Sequence, residues 1–161
     1  MTTADATQPR TALLLLLWAA GGLLTWFVAL YTFSYAMVPL ATPVRKFLHS
    51  NVPSQFLSVL TTFIIAHAAE YIWAVLLAAL LCYLTGFRWL WLISFVVAAN
   101  GWDLYVHLVK FGWYLNYYPT LPSWVLVSFI QGLISIFILF PLASWVGCIW
   151  GRKLREKRGA F

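Results

Sequence analysis

Apolar residues run almost without a break along this chain, and the few interruptions divide it into four stretches of roughly membrane-spanning length. The first covers about residues 11–38, "TALLLLLWAAGGLLTWFVALYTFSYAMV"; the second covers about 54–84 and stops at "TGF". The fourth starts at "TLPSW" and covers about 122–150. A helix rises about 1.5 Å per residue, so about 20 apolar residues cross a hydrocarbon core of about 30 Å. The third stretch falls short of that length. Its apolar part, "FRWLWLISFVVAA", is followed at once by "NGWDLYVH". A crossing over about 87–111 must therefore carry Asn100, Asp103 and His107 to membrane depth or to its edge. The alternative is a re-entrant or interfacial segment, which would move the C-terminus to the other side. The expectation is an all-α, four-transmembrane-helix bundle whose longest loop, about 39–53, is about 15 residues. Pro122 suits a first helical turn, and Pro141 should bend the last span from within.

Composition strengthens the membrane reading. The chain is 63% apolar and 9% charged, against about 25% charged in soluble domains. A net charge of +6 would suit nucleic acid if it were spread along the chain, but five of the ten basic residues close it: Arg152, Lys153, Arg155, Lys157 and Arg158. A basic cluster that follows a span is first a topology signal, placing that end in the cytosol. The organisation expected is a tail over 1–10, a membrane domain over 11–150 and a basic tail over 151–161, with both termini cytosolic. Arg10 and Arg88 then join the cluster, seven of the ten basic residues on one side, with Arg45, Lys46 and Lys110 opposing. The cluster can also hold anionic lipid headgroups. Trp and Tyr gather at the presumed boundaries as an aromatic belt. Cys82 and Cys148 fit no metal spacing and read as buried free thiols. The N-terminal apolar run far exceeds the roughly 7–15 residues of a cleaved signal core, so it reads as a retained span.

The chemistry lies in the polar interruptions. A charged side chain at the centre of a spanning helix costs about 2.5–3.5 kcal/mol, so each one needs compensation. His67 and Glu70, three apart, share a helical face. Asn100, Asp103, His107 and Lys110 are three, four and three apart and form one stripe. The second and third spans are joined by a tight turn at Gly86 and must be antiparallel neighbours. Counting outward from that turn, Glu70 and Asp103 stand at matched depths, as do His67 and His107. If both stripes face inward, two imidazoles and two carboxylates converge in the half of the bilayer away from the turn. Ser128 and Gln131 of the last span, and Thr25, Tyr31, Thr32 and Ser34 of the first, approach from the same half.

Three chemistries are open to such a cluster. It can be a hydrogen-bonded network that fixes helix register. It can hold a divalent transition metal or relay protons, with His67, Glu70, Asp103 and His107 as ligands. Haem between the histidines is disfavoured by the carboxylates beside it. Or it can bind a lipid or small molecule through His67, Glu70, Asn100, Asp103, His107 and Gln131, with Glu70 or Asp103 as a general acid or base.

The order of features is similar to a family of small membrane proteins of unknown function typified by transmembrane protein 254. It resembles them in a first span, a connection of the "VPLATPVRKFLHSNVPSQ" kind, and a span carrying His-x-x-Glu, "IIAHAAEYIWAVLL". A later span with a Gln near its start, "SFIQGLISIFILF", and the tail "GRKLREKR" complete the likeness. The resemblance implies a multi-pass protein of the endoplasmic reticulum membrane and singles out His67, Glu70 and Gln131. The chain departs from the pattern by inserting about 87–118, which carries Asp103 and His107. The family offers no activity to carry over.

No phosphate-binding loop or nucleophile elbow occurs. The first expectation for function is an accessory or structural subunit that packs on partner membrane proteins or on a second copy of itself. The alternative is a small membrane enzyme, or a lipid- or metal-binding protein, that uses the intramembrane cluster.

Overall fold

Long apolar runs without internal punctuation satisfy their backbone groups only as helices when water is absent, and the structure follows that rule. A computed structural model describes residues 8–33, 35, 38–51 and 55–159. Six helices follow in order: α1 (Gln8–Thr32), α2 (Val38–Asn51), α3 (Gln55–Thr85), α4 (Trp89–Tyr117), α5 (Ser123–Ile134) and α6 (Phe140–Gly159). No strand occurs among the described residues. Four segments are long and apolar enough to cross a membrane: Arg10–Thr32, His67–Thr85, Trp89–Tyr117 and Val125–Gly159. The protein is an all-α membrane bundle.

Local chemistry accounts for the breaks. Gly86 adopts φ +84°, a left-handed conformation that suits glycine, and its N–H closes the last turn of α3 on the Cys82 carbonyl at 2.9 Å. Arg88 is extended and its carbonyl accepts the N–H groups of Trp91 and Leu92, which starts α4. Pro122 sits one residue ahead of α5 and accepts the Val125 N–H at 3.0 Å. Pro141 acts on the last span through the residues before it. A π-helical turn, Ser135–Leu139, joins α5 to α6, and the Phe140 N–H reaches back five residues to the Ser135 carbonyl. Proline has no N–H and its ring crowds the carbonyl four residues earlier, so a widened turn ahead of it relieves both problems.

One feature differs from expectation. The connection after the first span is a helix, α2, which holds Pro43 within it. The third stretch is unbroken, as a crossing requires: α4 is one helix of 29 residues, with "NGWDLYVH" inside it.

Small residues set the register of the bundle. A Cβ on Gly22 of α1 would stand 2.2 Å from the Phe95 carbonyl oxygen of α4. Cβ atoms on Gly147 and Gly151 of α6 would stand 2.3 Å and 2.1 Å from the carbonyl oxygens of Val75 and Ala79 on α3. These close approaches are the small-xxx-small mode of membrane helix packing. The paired residues ascend together, so α1 runs parallel to α4 and α3 runs parallel to α6. Trp18 donates to the Thr85 hydroxyl at 3.1 Å and Trp73 to the Thr32 hydroxyl at 3.0 Å, which sets α1 antiparallel to α3.

The tight core lies toward one end. Trp18, Ala74, Ala78, Cys82, Trp91, Phe95, Ala99, Phe140 and Cys148 are buried together. That end holds the α3–α4 turn, the start of α1 and the basic end of α6.

Candidate functional site

Beyond the core, α1, α3 and α4 enclose an open cleft of about 230 Å³ lined by Trp26, Ala29, Leu30, Phe33, His67, Glu70 and Asp103. The Gly22 contact builds it. Gly22 seats α1 on Phe95 and Ala99, and one helical turn further along the parallel pair places Trp26 beside Asp103. The Trp26 indole N–H donates to Asp103 Oδ1 at 3.0 Å. From the opposite wall, His67 Nδ1 lies 2.9 Å from Glu70 Oε2, on side chains 27% and 14% exposed. Glu70 precedes the end of α3 by fifteen residues and Asp103 follows the start of α4 by fourteen. Both carboxylates therefore stand about 21–22 Å from the turn, at one depth.

Each carboxylate is held by one oxygen. Asp103 Oδ1 takes the indole and Glu70 Oε2 takes the imidazole. The second oxygen of each has no donor among the described residues. The lining carries two acids and one imidazole, so even a protonated His67 leaves one negative charge uncompensated. At this depth that charge calls for a cation or a proton.

The four-ligand set that was one of the three open chemistries does not assemble among the described residues. Among the described residues, no three of His, Cys, Asp and Glu stand close enough to hold a metal ion. His107 is the residue that departs. Its Nδ1–H donates to the Asp103 carbonyl at 3.1 Å. Its ring fills the space above Gly132, where a Cβ would come within 2.1 Å of Nε2. With Lys110, Phe111, Tyr114, Val125, Ser128 and Phe129 it lines a second cleft of about 270 Å³ between α4 and α5. The polar stripe of α4 thus divides, with Asp103 turned to α1 and α3 while His107 and Lys110 turn to α5. Gln131 lines neither cleft; its carbonyl accepts the Ser135 N–H.

Asn100 sits between core and cleft. It is 4% exposed, and neither its amide nitrogen nor its oxygen has a hydrogen-bond partner among the described residues. On the first span, Thr25 bonds the Gly21 carbonyl, Thr32 accepts the Trp73 indole, and Tyr31 is exposed. Ser34 lies outside the described residues. Cys82 and Cys148 are free and buried, as expected, and the Cys148 thiol points to the Ala78 carbonyl at 3.9 Å.

Sequence reasoning missed Trp26 and Phe33. A signal for Trp26 was present, since it stands inside the first apolar run, about 11–38, and not at either end of it. Trp73 is a mid-span tryptophan of the same kind.

Compared with known proteins, the chain matches no family model, no curated protein and no solved structure.

Proposed function

We propose that this membrane protein binds the positively charged head of an amphipathic amine in the cleft between α1, α3 and α4. The observation that carries the reading is the pair of carboxylates at one depth, each anchored through one oxygen, in an open cleft with a single imidazole as internal counter-charge. An ammonium headgroup supplies the missing positive charge and donors for the two remaining oxygens. Trp26 and Phe33 add aromatic faces, which attract cations. The volume of about 230 Å³ is below the roughly 300–1,000 Å³ of sites that swallow whole drug-sized ligands. It suits a headgroup whose tail lies among the exposed side chains of α1.

Binding rather than turnover is the function proposed, because the two carboxylates and the imidazole offer charge and hydrogen bonds to a headgroup. The expectation of an accessory subunit draws on apolar outer faces, which lipid covers equally well, whereas the cleft selects for a chemistry.

The test is a series of ligands matched in chain length. Dodecylamine, dodecanol and dodecanoate are added to the full chain in a neutral maltoside detergent, and the thermal unfolding midpoint is read. Dodecylamine is expected to raise the midpoint, the other two to leave it, and Glu70→Gln/Asp103→Asn to abolish the shift. Equal shifts from all three compounds, or a shift that survives the double substitution, would overturn the reading.

A further inference from the structure

The five basic residues that close the chain do not form one uniform cloud. Arg152, Arg155 and Arg158 recur every third residue along α6, while Lys153 and Lys157 fall on another side of the helix. The arginine side faces the α3–α4 turn. Arg155 is pressed against Gly86, where a Cβ would stand 2.7 Å from its Nη1. Arg158 donates to the Tyr83 hydroxyl, with its guanidinium 5.9 Å from the centre of that ring. Together they line a cleft with Tyr83, Leu84 and Gly159. Arg152 edges a neighbouring cleft with Phe87, Trp89, Trp145, Cys148 and Ile149. The lysines line neither.

We infer that this end of the bundle is a site for an anionic phospholipid, whose phosphate seats on Arg155 and Arg158 and whose acyl chains descend along Leu84. Three observations converge on that occupant. The first is level. α6 passes without a break from its apolar part to Arg152, one residue beyond the Gly151–Ala79 contact. The guanidinium groups therefore emerge beside the turn that ends α3, where a spanning helix meets the phosphate layer. The second is charge. Arg152 has a carboxylate nearby, Glu156 at 3.6 Å, whereas Arg155 and Arg158 have none among the described residues. The third is shape, since guanidinium at the rim and Leu84 with the Tyr83 ring below match a phosphate above an acyl chain. Arginine rather than lysine on this side suits the site, because its planar fork grips a phosphate through two donors at once.

General attraction between a basic tail and an acidic membrane depends on the number of charges; a built site depends on which side chains carry them. The experiment separates the two. The full chain is reconstituted in mixed phosphatidylcholine and phosphatidylglycerol bilayers, and the phospholipids retained after mild extraction are counted by native mass spectrometry. The wild type is expected to retain phosphatidylglycerol in preference to phosphatidylcholine. Arg155→Lys/Arg158→Lys, which keeps the charge, is expected to lose that preference. Lys153→Gln/Lys157→Gln, which removes two charges from the other side, is expected to keep it. The inference fails if the lysine pair matters as much as the arginine pair, if Arg→Lys changes nothing, or if inorganic phosphate displaces the lipid.

Discussion

Asp103 and Glu70 are the same chemistry in different company, and the difference is measurable. Asp103 leans on a neutral indole from another helix, while Glu70 leans on an imidazole one turn away on its own. The Trp26–Asp103 bond therefore ties α1 to α4, and the His67–Glu70 pair ties nothing across the bundle. Polar contacts between membrane helices average about 0.6 kcal/mol and reach about 1.7. A double-mutant cycle of Trp26→Phe and Asp103→Asn should give a coupling energy in that range. A cycle of His67→Ala and Glu70→Gln should couple more weakly in the stability of the bundle, although both residues face the cleft. Asn100 makes the opposite case. Its amide is buried with no partner among the described residues, and an unsatisfied buried polar group costs about 1–3 kcal/mol. Asn100→Leu, similar in size and apolar, is expected to leave the unfolding midpoint unchanged or raise it. A clear fall would mean that the amide holds something the side chains around it do not provide.

At the scale of helices, close approach decides what packs where. α3 and α6 meet backbone to backbone at Gly147 and Gly151, and neither position can take a side chain without moving a helix. Gly147→Leu or Gly151→Leu should each cost about 1–3 kcal/mol, the usual penalty for overpacking. The cost should appear as a lowered midpoint for the purified chain. Gly101 on α4 has open space around it, and Gly101→Ala should be tolerated, which separates the contact from a general intolerance of change. The four spans were legible from hydropathy, including α4, where "NGWDLYVH" had to be counted into the span to reach the required length, whereas α2 was read as a loop. The partner of each face was not legible. Asp103 and His107 sit one turn apart along the same stripe, and the open space at Gly132 draws His107 to α5 while Trp26 holds Asp103 toward α1. Spacing along one helix cannot report a hole in another. The spacing "GCIWG" in α6 was visible in principle, but its use within the chain rather than between chains depends on α3 presenting Val75 and Ala79.

Across the whole molecule, tight packing at one end and the cleft at the other divide the bundle along its length. Carboxylates at equal depth were readable by counting from the Gly86 turn. That they share a cleft depends on the parallel pairing of α1 with α4, which hydropathy cannot reveal. The division has a consequence for water. The core around Phe95 and Cys82 is closed, with both side chains fully buried, whereas the cleft is open and holds ionisable groups, so water should reach one and not the other. Single cysteines placed at Phe33 in the cleft wall and at Ala99 in the core test this with a membrane-impermeant thiosulfonate reagent. The native thiols, 0% and 2% exposed, should stay silent. Phe33→Cys is expected to react quickly and Ala99→Cys to remain unlabelled. In sealed vesicles the reagent should reach Phe33→Cys only from the side opposite the one that labels Lys157→Cys, because the cleft and the basic helix end lie at opposite ends of the bundle. Labelling of both from one side would contradict the four-span arrangement. Protection of Phe33→Cys by dodecylamine but not by dodecanoate would tie the water-filled cleft to the cation it is proposed to bind.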